Sequence, residues 1–104
     1  MIKVSVFYPA DSGKNFDHAY YRESHMPMIR QRLGAACLGY EIDKGLAGGA
    51  PGSAAPFVGM CHIFSPSLEA FQAAFAPHAA EILADVAHYT DITPIMQFSE
   101  VIER

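Results

Sequence analysis

The residue pattern predicts a single α+β domain spanning 1–104, its elements ordered strand, helix, strand, strand, helix, strand. Three observations carry this expectation. Three stretches alternate apolar and polar residues with the period of two that strands show, and a fourth, 57–64, is rich in β-formers throughout. Two longer stretches place apolar residues at helical spacing behind a capping residue. Each of these is broken by a proline, Pro27 and Pro77. A proline inside a helix removes a backbone donor and crowds the preceding turn, so both helices are expected to be interrupted.

The first strand is read at 2–8, with Ile2, Val4, Val6 and Tyr8 facing one way and Lys3, Ser5 and Phe7 the other. Residues 9–14 carry Pro, Asp, Ser and Gly and form a loop. Asn15 is expected to cap the first helix, with Asp17 favourable near its positive end. That helix passes through Tyr20 and Tyr21, meets Pro27 and ends near Gly34. At ~100° per residue, His18, Tyr21, His25 and Met28 share one narrow face. Tyr21 and His25 stand four apart, so their rings can touch.

The second strand covers 37–44, alternating Leu38, Tyr40 and Ile42 with Gly39, Glu41 and Asp43. Residues 45–56 hold four glycines, two prolines and four alanines, the composition of a flexible connection that is either a flap or slack. The third strand, 57–64, has apolar residues on both faces and is expected to be covered on both. Ser67 caps the second helix, with Leu68, Phe71, Gln72 and Phe75 as its inward stripe, and helical character resumes after Pro77 with Ile82 and Val86. Residues 89–93 form a turn and 94–103 the last strand.

With right-handed crossovers this order yields a ferredoxin-like βαββαβ arrangement: a four-stranded antiparallel sheet with two interrupted helices on one face. The other face stays bare, exposing Phe7 or Tyr8, third-strand residues, and Phe98 or Val101. An apolar face of that size marks an interface. The composition agrees, because 51% of residues are hydrophobic and only 17% charged, more apolar surface than one small core absorbs. A homodimer formed by packing two such faces is expected.

The net charge of −4 and scattered basic residues argue against a nucleic-acid partner or an anionic membrane surface. No apolar run approaches the ~20 residues that span a bilayer, and the N-terminus enters a strand pattern rather than a signal peptide. A cytoplasmic location is the expectation. Cys37 and Cys61 are too far apart for a CxxC motif and are read as small buried strand residues.

The chemistry concentrates on the first helix. His25 titrates near neutral pH and, beside an aromatic wall and the carbonyl that Pro27 leaves without its helical donor, suits acid or base work on a small apolar substrate. A histidine merely bonded to backbone at the kink is the structural alternative. Tyr21 orients His25 or holds a substrate oxygen, or is a half-buried helix residue; Met28 shares its wall. Tyr20 and Phe16 are read as core. His62 meets His25 if its strand face looks under the helices, and belongs to the interface if it looks away. Asp85, in an apolar context, needs a partner; it either orients His25 or, the preferred reading, caps the turn before Thr90. No metal is expected: His18 and His25 lie ~10 Å apart along a helix, too far to share an ion. Phosphate-binding glycine loops and a nucleophile elbow are also absent from the sequence.

Several segments together resemble an EthD-domain protein of the dimeric α+β barrel superfamily, named for ethyl tert-butyl ether degradation. They are Val6-Phe7-Tyr8-Pro9, Phe16-Asp17, Tyr20-Tyr21 with His25-x-Pro27-Met28, Phe64 to Phe71, and Ala84 to Asp91 with Pro94 and Gln97. His88 stands where relatives often carry Asn. The resemblance implies a dimeric barrel acting on small ring compounds or polyketides, as isomerase, decarboxylase, cyclase or monooxygenase, or as an accessory to ether degradation. Haem-binding relatives exist, but this chain offers one candidate histidine, and no cofactor is expected. The expected activity is cofactor-independent modification of a small hydrophobic ligand, with His25 catalytic and Tyr21, Met28, His62 and Asp85 lining its site. The alternative is a non-catalytic protein that sequesters such a compound or supports a partner oxygenase.

Overall fold

A computed structural model of the chain describes residues 1–11 and 13–104; of the loop expected at 9–14, position 12 lies outside them. Four strands form one antiparallel sheet: β1 (Ile2–Pro9), β2 (Gly39–Lys44), β3 (Phe57–Ser65) and β4 (Ile95–Glu100), in the order β2-β3-β1-β4. The first helix occupies 18–33 and the second 68–88, and both pack on the same face, as the element order requires. Val4 pairs with Ile63 and Phe98, and Val6 with Cys61 and Met96, so these side chains point toward the helices. Lys3, Ser5, Phe7, Met60, His62, Phe64, Ile95 and Gln97 point the other way. A register shift between Tyr8 and Pro9 opposes Phe57 to Pro9 and brings its ring within 5.3 Å of Phe7 on this open face.

The strand faces decide between the two pairs of alternatives. Tyr8 is buried beneath the helices, and Phe7 is the one of that pair on the open face. Phe98 belongs to the helical side, its ring edge-on to Phe71 at 5.7 Å. The last strand is also shorter than 94–103, and Cys37 precedes β2 at the end of a short 3₁₀ turn instead of lying in it.

The first helix starts two residues later than its sequence suggests. Asp17, not Asn15, is the cap, its carboxylate accepting from the Tyr20 N–H at 3.0 Å. The Asn15 N–H instead donates to Asp91 at 2.9 Å, and the Thr90 hydroxyl donates to the Asn15 carbonyl at 2.6 Å. With the Asp17 N–H donating to the Tyr89 carbonyl, these bonds tie the helix entry to residues 89–91.

Ahead of Pro27 the helix widens into a π-helical turn, Tyr21–His25, before resuming as Met26–Leu33. The wider turn accommodates the missing donor and the crowding of the ring. It also breaks the single face expected from 100° spacing. Tyr21 and His25 point into the core with Met26, Ile29 and Leu33, whereas His18 faces β2 and Met28 is half-buried toward the second helix.

In the second helix, Ser67 caps as expected, accepting from the Ala70 N–H at 3.1 Å, and Pro77 sits in a 3₁₀ turn, Ala76–His78. Phe71 and Ile82 are buried, with Ala74 and Phe75 packed against the core. Leu68 and Gln72 face outward, against the expected stripe. The 45–56 connection closes on itself through Gly48–Ser53 and Ser53–Ala50 bonds, and no residue of it lines the cavity described below.

Asp17→Ala removes the carboxylate that satisfies an otherwise free helix N–H. It is expected to cost about 1 kcal/mol, lowering the thermal midpoint by roughly 4–8 °C, which calorimetry would read.

Candidate functional site

One carboxylate between the two helices organises the inner contacts; a second, Glu81, pairs with Arg32 at the surface. Asp85, near the end of the second helix, accepts from three side chains. His25 Nδ1 lies 2.8 Å from Oδ2, and the Tyr20 hydroxyl and His88 Nδ1 lie 2.8 and 2.9 Å from Oδ1. Of its two expected roles, Asp85 takes that of orienting His25. The turn before Thr90 is closed by a backbone bond from the Thr90 N–H to the Val86 carbonyl.

His25 is 3% exposed. Burial pushes its pKa below the ordinary imidazole value, and the Asp85 carboxylate only partly offsets this. Burial likewise works to raise the Asp85 pKa, but the bonds from His88, His25 and Tyr20 outweigh it and hold the carboxyl at about 2. At neutral pH the pair is therefore a carboxylate and a neutral imidazole. An anionic acceptor at Nδ1 places the imidazole proton there, leaving the Nε2 lone pair free to accept.

Nε2 faces the Tyr89 hydroxyl at 3.3 Å, and Tyr89 in turn shares a 2.6 Å bond with the Tyr8 hydroxyl. Burial raises the pKa of Tyr8, Tyr21 and Tyr89, so all three stay protonated as donors. The rings pack as a shell: Tyr21 stacks on His25 at 5.6 Å and 16°, and Tyr89 tilts against His25 at 4.5 Å. Phe16 lies edge-on to Tyr8, Tyr21 and Tyr89. Cys61 lies beside Tyr21 with its thiol pushed up to about 11 by burial, so it is neutral and a poor nucleophile.

This shell borders a cavity of about 70 Å³ between helices and sheet. Its inner wall includes Tyr8, Tyr21, His25, Cys61 and Tyr89; Leu83, Pro94 and Met96 stand at the outer side. Leu83 and Met96 are exposed large apolar residues there. The lining is almost wholly apolar, with the Nε2 and phenol groups as its polar atoms.

The expected site residues thus separate. His25, Tyr21 and Asp85 come together. Met28 instead lines a shallow surface groove on the outer side of Asp85, with Tyr20, Ser24 and His88. His62 is on the open sheet face, its Nδ1 2.8 Å from the Ser5 hydroxyl and its Nε2 3.4 Å from Asp43. Strand alternation sends Cys61 and Ile63 under the helices and His62 away from them. Tyr8, Tyr20 and Tyr89 were not among the expected site residues. The tyrosine content of the family-like segments was the available signal, but Tyr89 sits in a turn without periodicity. Among the described residues, no three His, Cys, Asp or Glu side chains converge to hold a metal ion, and no helix is long and apolar enough to cross a membrane.

The EthD domain family model matches residues 12–93. Among solved structures, an EthD-like protein from Ralstonia eutropha JMP134 is 53% identical over 99% of this chain and 93% of its own, with a TM-score of 0.95. An ethyl tert-butyl ether degradation (EthD) family protein from Bacillus halodurans C-125 is 17% identical over 98% of this chain and 99% of its own, with a TM-score of 0.74. A proposed antibiotic biosynthesis monooxygenase from Deinococcus radiodurans is 18% identical over 100% of this chain and 95% of its own, with a TM-score of 0.63. No curated protein matches the sequence.

The lowered His25 pKa has a consequence for stability. Below pH 6.5 the unfolded chain takes up the His25 proton before the folded one, so stability present above pH 6.5 is lost as pH falls through the folded pKa. The Asp85 contribution is present above pH 3.8 and is lost as pH falls toward 2. His18, also lowered, adds to the upper step. Urea midpoints measured from pH 7 to 5 should decline in the wild type, each proton contributing at most about 1.4 kcal/mol per pH unit. His25→Asn should lessen that decline to the share His18 contributes.

Proposed function

Because the chain belongs to the EthD family, we propose that it binds a small hydrophobic organic compound between helices and sheet. It modifies that compound by cofactor-independent acid/base chemistry, with His25 as the base. The observation carrying this reading is a neutral imidazole, oriented by a carboxylate, at the wall of an otherwise apolar cavity. A relative's name, ethyl tert-butyl ether degradation, supports a small apolar ligand class.

In this reading Nε2 takes a proton from a carbon next to a substrate carbonyl. The electron pair moves onto the carbonyl oxygen, where the Tyr89 or Tyr8 hydroxyl donates to the developing charge. Asp85 holds the Nδ1 proton throughout and stabilises the imidazolium that forms. The 3.3 Å separation between Nε2 and Tyr89 is long for a hydrogen bond, so a substrate atom displaces that contact at small cost. A cavity of about 70 Å³ holds only the reacting end of a ligand. The rest lies over the exposed apolar ledge of Leu83 and Met96. Tyr21 is the aromatic wall, and Asp85 acts through His25 as a positioning residue.

One observation favours the rival reading, a non-catalytic carrier serving a partner oxygenase: both nitrogens of His25 are already bonded within the protein. Deuterium exchange separates the two. The α-protons of 2-indanone in D2O should exchange faster with the protein than without it, with an acid limb below pH 6.5. His25→Asn should lose about 10²-fold of that acceleration. Binding without accelerated exchange would support the carrier.

We further propose that the open sheet face forms a homodimer. Phe7, Phe57 and Met60 are only half covered there, and Ile95 is 55% exposed. Pairing this surface with a copy of itself removes apolar area from water. Ile95→Lys, directly across from Phe7, would bury an unpaired charge at that contact, so sedimentation should show a dimer for the wild type and a monomer for the variant.

A further inference from the structure

On the flank of the first helix away from the His25 cavity runs a groove lined by His18, Arg22, Tyr40, Ile42 and Lys44. At about 470 Å³ it has room for a small molecule. β2 builds its floor by strand alternation. Tyr40, Ile42 and Lys44 point to the helical side, while Glu41 and Asp43 share register with His62 and Met60 and point to the open face. Asp43 lies 3.4 Å from His62 there. The strand therefore delivers its base to the groove and its acids elsewhere.

Helical spacing places His18 and Arg22 on the opposite wall. Neither Arg22 nor Lys44 forms an ion pair among the described residues. The Arg30 guanidinium lies over the Tyr40 ring at 5.2 Å, a third cation beside the groove rather than in its lining. Burial, then the Lys44 charge, hold His18 below its usual pKa, so its neutral ring adds one N–H donor. Asp17, the acid that acts on His18, has its carboxylate engaged in capping Tyr20. In a chain of net charge −4 with only seven Lys and Arg residues, setting two of them in one groove beside an aromatic and an aliphatic side chain, with a third over the aromatic ring, selects for negative charge joined to an apolar body.

We propose that this groove is a second binding site, for a small organic anion of the aromatic carboxylate class. The carboxylate sits between Arg22 and Lys44, and the ring lies on Tyr40 and Ile42. Arg22 offers paired N–H donors that match a carboxylate, and Lys44 a point charge. The site is independent of the chemistry assigned to His25.

Benzoate and its neutral counterpart benzyl alcohol test the proposal, titrated into the full-length protein by two-dimensional NMR. Benzoate should shift the resonances of His18, Arg22, Tyr40 and Lys44, and bind at least 10-fold more tightly than benzyl alcohol. The affinity should fall as salt is raised, since the cations are exposed. The double variant Arg22→Gln, Lys44→Gln changes only exposed side chains; it should keep its circular dichroism spectrum and lose at least 10-fold in benzoate affinity. Equal binding of the two probes, shifts confined to the residues around His25, or an unchanged affinity in the double variant would overturn the proposal.

Discussion

Asp85 and His25 lie 60 residues apart in sequence and 2.8 Å apart in the fold, and most of the site's features follow from that contact. The carboxylate joins the two helices, sets the imidazole tautomer and anchors Tyr20 and His88. A partly buried anion with three donors is stabilised relative to one without them, and removing a partner would leave a poorly solvated charge. The π-helical turn at Tyr21–His25 makes the contact possible. It turns His25 inward together with Tyr21, where a regular helix would have carried His18 and Met28 along on the same face. Pro27 thus acts by widening the turn before it, and the widened turn delivers the His25 imidazole to the core.

Around this pair, burial acts in one direction on every titratable group. It keeps the phenols protonated, the Cys61 thiol neutral and the His25 imidazole uncharged, while Asp85 alone stays ionised because its three donors outweigh desolvation. The result is a low-dielectric pocket with one fixed negative charge behind the imidazole and neutral donors in front of it. Such an arrangement suits transfer of a proton from an apolar molecule better than recognition of a charged one. The helix entry is tied to residues 89–91, so Tyr89 is held against His25 by the backbone bonds that also define where the helix begins.

Within β2, charge is sorted by face as apolar surface is. β2 alternates Tyr40, Glu41, Ile42, Asp43 and Lys44, so acids and bases fall on opposite faces without any ion pair between them. The open face mixes Phe7, Phe57, Met60 and Ile95 with polar residues that include Lys3, Ser5, His62 and Asp43. The other carries the cationic groove at one edge and the His25 cavity nearer the opposite edge, where β4 supplies Met96. A one-residue slip of β2 would exchange the two sets, which is why register matters to both.

Much of the architecture was legible in the residues alone. Alternation located the strands, Ser67 marked one helix start, the two prolines marked both interruptions, and the element order determined the topology, because these are local signals that sterics and hydrogen bonding impose within a few residues. Tyr21, His25 and Asp85 were legible as candidates from their types and surroundings. Other features depended on distant contacts. Asp17 displaced Asn15 as the cap because Asn15 is held by Asp91. His62 parted from His25 because strand pairing turned its face away. Tyr8 and Tyr89 joined the site because the sheet and a turn 81 residues on bring their hydroxyls together. Local sequence determines which backbone conformations are favourable; which side chains meet is decided only when the whole chain packs, since burial and register are properties of the assembled sheet and helices rather than of any one segment.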